Sequence, residues 1–177
     1  MRYVALLRGI NVGGNKKVEM KKLKATFEHL GYTDVVTYIN SGNVVFDTRN
    51  TETKKLRNSI EQLMVKDFGF EVPTIVVSAE ALQSIVKEIP SDWTNDDEWK
   101  TDVCFLWEEI DDSTTMEKLG YDETIETMVY IPGVVIWHVS RANQLKSKMV
   151  KVVGTKLYTQ MTVRNVNTVR KLSALLD

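Results

Sequence analysis

Two β-rich runs, Asp34–Ile39 and Val44–Asp47, are separated by Asn40-Ser41-Gly42-Asn43, and helical periodicity lies on both sides of the pair. Gly and Asn tolerate the positive φ of a tight reversal, so the pair reads as a β-hairpin. A hairpin framed by two helices leaves few folds open. Met20, Leu23, Phe27 and Leu30 recur at helical spacing before it, stopped by Gly31. Leu56, Ile60, Leu63 and Met64 recur after it, stopped near Gly69. The apolar run Tyr3–Leu7 precedes the first helix and Pro73–Val77 follows the second. The order is β-α-β-β-α-β, the split pattern of ferredoxin-like folds.

The second half repeats that order of elements without repeating its residues. A helix at Ala79–Glu88 leads into a polar, acidic loop, Pro90–Lys100, then a strand at Val103–Trp107. A helix is expected around Thr114–Leu119, with strands at Thr127–Ile131 and Val134–Val139 turning at Pro132-Gly133. A basic helix over Asn143–Val152, a strand over Leu157–Val163 and a helix over Val166–Leu176 complete the chain. The expected fold is α+β: two ferredoxin-like subdomains packed together, with a C-terminal helix. The first occupies 1–78, the connecting helix and acidic loop 79–100, and the second 101–177.

Charge is distributed in blocks. The net charge of −1 over 177 residues resolves into +5 for 1–70, −13 for 71–140 and +7 for 141–177. The apolar run Tyr3–Leu7 is cut off by Arg8, too short for a signal peptide or a spanning helix. The expected setting is cytoplasmic, with no membrane partner. Cys104 is the sole cysteine and sits in the run VCFLW, which suits a buried thiol and excludes an internal disulfide.

Three polar clusters fall where strands end: LLRGINVGGNKK at 6–17, TYINSGNVVF at 37–46 and TVRNVNTVRKL at 162–172. Gly9 and Gly14 have the gap of a phosphate-binding P-loop, but Asn15 and Lys16 stand where Lys and Ser or Thr are required. The spacing of Gly9, Gly13 and Gly14 also fails the dinucleotide fingerprint. A Gly-rich turn beside Arg8, Lys16 and Lys17 remains, able to hold an anion or to serve as a plain turn. At the third cluster one residue, Asn165 or Asn167, suffices to cap the last helix; Arg164 and Thr162 then lack a local role. His29 and His138 show no metal-ligand spacing, and Ser41 has no evident base, so neither a metal nor a catalytic set is expected. Trp93 and Trp99 are expected to pack against the core. Of the RNA-recognition signature only Phe46 is present, and RNA is a disfavoured partner.

On ALLRGINVGG, the Met20/Leu23 helix start, TY-x-x-SGN-x-x-F, Phe68-Gly69 and RN-x-NTV-x-KL, the chain resembles the family known as domain of unknown function 1697. The resemblance implies paired ferredoxin-like subdomains and no particular activity or cofactor. Its polar positions fall on Arg8, Gly9, Asn11, Gly13, Gly14, Ser41, Gly42, Asn43, Arg164, Asn165, Asn167 and Thr168. The leading expectation is a module that binds a small anionic or phosphorylated ligand where the three clusters converge. Arg8 and Arg164 would be charge partners, Lys17 a peripheral cation, and the asparagines orienting groups. The alternatives are an enzyme acting on a phosphorylated substrate and an RNA-binding adaptor. Arg164 is expected to be exposed, so that its loss would change stability by no more than about 0.5 kcal/mol.

Overall fold

The computed structural model describes residues 1–176. Every side chain of β1 (Arg2–Leu7) from Tyr3 onward is buried, so this strand lies in the interior of its sheet. Tyr3, Ala5 and Leu7 point into a core shared with Leu23 and Phe27 of α1 (Met20–His29) and Leu56, Ile60 and Met64 of α2 (Thr53–Phe68). β1 pairs with β3 (Asn43–Asp47) on one side and β4 (Thr74–Ser78) on the other, and β2 (Thr33–Tyr38) adds outside β3. All pairings are antiparallel, in the order β2-β3-β1-β4. Phe46 of β3 anchors the core by stacking on Tyr32 at 4.5 Å and meeting Phe27 edge-on at 5.5 Å.

The second sheet has the same logic. β5 (Trp99–Leu106) is flanked by β7 (Val134–Ser140) and β8 (Met161–Asn165), with β6 (Glu126–Ile131) outside β7. Its order, β6-β7-β5-β8, corresponds strand for strand to the first. Cys104, Met128, Val135, Trp137 and Met161 build the core on one face. Burial pushes the Cys104 thiol far up, as a structural cysteine requires. α3 (Ala79–Glu88) follows β4, α4 (Thr115–Leu119) lies between β5 and β6, and α7 (Val166–Leu175) ends the chain. The chain divides into two compact units: 84–171, and 1–83 with the end of α7 from Leu172. This is the expected α+β class. Among the described residues no helix is long and apolar enough to cross a membrane.

Two expected elements differ. The basic helix over Asn143–Val152 is instead a 3-10 turn at Gln144–Lys146 and a short α5 (Met149–Val152). Ser147 divides them, because its extended backbone ends the turn and its hydroxyl accepts the Met149 N–H. The expected strand Leu157–Val163 begins as a helical turn, α6 (Lys156–Thr159), before β8. Thr155 caps that turn by accepting the Tyr158 N–H, a local bond that β-propensity does not anticipate.

Gly42 is set by close packing as well as by its φ of 83°: a Cβ there would meet Leu7 Cβ at 2.8 Å and Ile10 Cδ1 at 2.9 Å. Gly69 has nearly the same φ, 80°, with open space around it. Gly69→Ala should therefore cost about 1 kcal/mol of unfolding free energy from φ alone. Gly42→Ala should cost about 2–4, because overpacking adds to the same term. Urea denaturation compares the two directly; equal losses would refute the close-packing account.

Candidate functional site

The Gly-rich loop folds on itself. Val12 and Asn15 form a bridge closed by Asn15 N–H to Val12 carbonyl at 3.0 Å, with Gly13 and Gly14 at φ 58° and 78° across the tip. This is a two-residue hairpin whose mirror-image turn calls for glycine at both positions. Gly9 takes φ 74° where the loop leaves β1, and the half-buried Arg8 gives its backbone N–H to the Pro73 carbonyl at 2.9 Å. Asn11 is the clamp. Its Nδ2 donates to the carbonyls of Val18 (3.0 Å) and Asn40 (2.9 Å), and its Oδ1 accepts the Val18 N–H (2.8 Å). One side chain thus closes the loop and ties it to the β2–β3 turn.

The first two clusters are in contact. Leu7 N–H reaches the Gly42 carbonyl at 2.8 Å. Asn43, fully buried, closes the turn by donating to the Tyr38 carbonyl (3.0 Å) and the Ser41 hydroxyl (2.9 Å). Beside the clamp lies an open depression of about 510 Å³ lined by Asn11, Gly14, Lys17, Val18, Asn40 and the first turn of α1. That turn has no side-chain cap, so its leading N–H groups have no side chain accepting them. Lys17 and Lys21 bring positive charge to the rim and Glu19 a carboxylate. Ile39, in the neighbouring turn, combines φ 49° with 49% exposure. A β-branched side chain is strained there and gains little from burial. The sequence places Ile39 at the end of a strand, whereas β2 ends at Tyr38 and Ile39 belongs to the turn; the Val18 and Asn40 carbonyls that accept from Asn11 leave no trace in residue type.

The third cluster belongs to the second unit, and its residues have distinct structural roles. Asn165 is the N-cap of α7, accepting the Thr168 N–H at 2.9 Å. Asn167 donates to the Asn95 carbonyl and anchors the acidic loop. Thr168 is buried. Arg164 corrects the expected exposure: only 7% of it is accessible. Its Nη1 donates to Thr162 Oγ1 (3.0 Å) and the Val163 carbonyl (2.9 Å), and burial draws its guanidinium down to about 10. It remains charged at neutral pH. Phe46, the aromatic that an RNA reading relied on, lies wholly inside the first core and cannot stack on a base there.

The acidic loop holds a feature the sequence suggested only in part. Trp93 and Trp99 do pack, one on each face of His138, at 4.5 and 4.6 Å with planes 4° and 12° from parallel. Thr101 donates its single hydroxyl proton to the Thr94 carbonyl at 2.7 Å. The 2.8 Å contact to His138 must then be Nδ1–H donating to Thr101, which fixes the neutral tautomer. Arg170 pins the loop at the Trp93 and Pro90 carbonyls.

A ferredoxin-like pair of antiparallel sheets, with a Gly-Asn loop clamped on the first hairpin, defines an α+β protein whose polar clusters lie at strand ends, partly buried. The chain belongs to the family described as protein of unknown function, DUF1697, whose model matches residues 1–137. The third cluster lies beyond that match. A conserved bacterial protein from Streptococcus pneumoniae has a similar structure, with a TM-score of 0.81 and 26% identity over 99% of this chain and 98% of that one. No curated protein matches in sequence.

Two measurements probe these roles. Asn165→Ala should cost about 1 kcal/mol through loss of the cap. Arg164→Ala should cost more, about 2–4, because it leaves a cavity and removes the buried hydrogen bond to Thr162 and the partly buried one to the Val163 carbonyl. Equality of Arg164→Ala with wild type in denaturant midpoint would restore the exposed reading. The pH dependence tests His138. Burial lowers its pKa below the usual histidine value, against an opposing pull from Asp92. The unfolded chain then binds the proton more readily, so stability is full above roughly pH 6.5 and falls as pH drops below it. His138→Gln should flatten that fall between roughly pH 7 and 5; an unchanged slope would mean other groups carry it.

Proposed function

We propose that the protein binds a small anionic or phosphorylated ligand at the surface built by the N-terminal loop and the first hairpin. The observation that carries this reading is the uncapped start of α1 opening on a depression with Lys17 and Lys21 at its rim. Backbone N–H groups at a helix start favour anions by their geometry and by the helix dipole, and nearby ammonium groups add to both. The Asn11 clamp holds loop and hairpin in fixed relation, so the donors need little reordering on binding. The strained, exposed backbone at Ile39 is of the kind that functional surfaces retain. Arg8 stands at the root of the same loop as the further charge partner.

The test is a thermal-shift screen against inorganic phosphate, nucleotides and sugar phosphates. A ligand at about a hundred times its dissociation constant stabilises by about 2.7 kcal/mol. Lys17→Ala combined with Lys21→Ala should weaken the best hit by about 1.5–3 kcal/mol in binding. Glu19→Gln should strengthen it, since one carboxylate leaves the rim. Unchanged affinity in both variants would remove the site.

A further inference from the structure

Between Arg141 and Leu176 the sequence has eight Lys or Arg and no Asp or Glu. Within this acid-free stretch the second unit exposes three aliphatic side chains close together in sequence: Leu145 at 82%, Val153 at 61% and Val150 at 39%. The segment is anchored from beneath. Met149 and Val152 are buried, as is Ser147, whose hydroxyl accepts the Met149 N–H. Val150 and Val153, each next in sequence to a buried anchor, are themselves exposed. Lys146, Lys151 and Lys156 are exposed among them. Lys146 is steadied by Asn143 Oδ1 at 3.0 Å. Lys148 instead lies over Gly120.

We propose that this segment is a docking surface for an anionic lipid bilayer, with Leu145, Val150 and Val153 entering the interface and the lysines meeting the headgroups. The residue types decide between partners. Protein interfaces are enriched in aromatic residues and Arg and depleted of Lys, while Leu and Val are under-represented among their hot spots. Sequence-independent nucleic-acid binding rests on phosphate contacts, which exposed aliphatic tips do not make. Aliphatic side chains among flexible lysines are what interfacial lipid binding uses, since apolar burial and attraction to anionic headgroups add. No spanning helix is needed for such attachment, and the short turns here lie flat rather than cross. The proposal is independent of the anion site, which belongs to the other unit.

The experiment is co-sedimentation of the full chain with vesicles of phosphatidylcholine alone and of phosphatidylcholine mixed with phosphatidylserine, at low and high salt. The expected result is partition onto the phosphatidylserine vesicles, weakening as salt rises, with little on phosphatidylcholine. Each lysine near an anionic surface contributes about fivefold, so Lys151→Glu with Lys156→Glu should lower the partition constant by more than about tenfold. Leu145→Ser with Val153→Ser should lower it at least about threefold at constant charge. Both pairs are exposed, and circular-dichroism melts should match wild type, so a loss cannot be assigned to unfolding. Absence of partition, equal partition onto both vesicles, or full retention by the serine pair overturns the proposal. So does a wild-type dimer in sedimentation velocity that the serine pair abolishes, which would make a second copy the occupant. Binding to a single-stranded oligonucleotide that the serine pair retains while lipid binding is absent would overturn it in favour of nucleic acid.

Discussion

The close approach of Gly42 to Leu7 and Ile10 organises the polar surface of the first unit. Because no Cβ intervenes, the β2–β3 turn lies directly on the chain leaving β1, and the Leu7 N–H can reach the Gly42 carbonyl. That contact brings the turn beside the N-terminal loop, where Asn11 bonds to both at once. The depression and the start of α1 follow from the same arrangement. A side chain at position 42 would separate loop from hairpin before it disturbed either sheet.

Asparagine is the common word of the three clusters, yet the structure gives it four different jobs. Asn11 joins two loops, Asn43 closes a turn from inside, Asn165 caps a helix and Asn167 holds the acidic loop. All four depend on the same chemistry, a short amide that donates and accepts beside irregular backbone. Much of the polar vocabulary is therefore spent satisfying backbone where regular ladders end. For the proposed anion this leaves the uncapped first turn of α1 with Lys17 and Lys21 beside it, a smaller inventory than the sequence suggests.

Charge has a similar history. The acidic middle of the chain contains the loop that encloses His138, and that loop is held at its carbonyls by Arg141, Arg170 and Asn167 from the basic C-terminal block. Blocks that look in sequence like separate faces are thus partly joined through guanidinium-to-backbone bonds rather than ion pairs. The lysines of 146–156, by contrast, have no acidic sequence neighbours and stand beside exposed aliphatic residues.

The order of elements, the core periodicities and the hairpin were legible in the sequence, because each depends on residue spacing within a few turns or strands. Met20, Leu23 and Phe27 indicate a helix whatever surrounds them, and Ser-Gly-Asn indicates a reversal. Two elements were misread, the broken helix at Ser147 and the helical turn at Lys156–Thr159, because a single hydroxyl-to-backbone bond decided each. The burial of Arg164 was decided by tertiary structure alone, since a strand's pattern assigns faces but not what covers them. The same holds for the two indoles enclosing His138 and for the carbonyls that Asn11 finds. Residue type records propensity and charge, whereas burial and backbone acceptors exist only once distant segments have met.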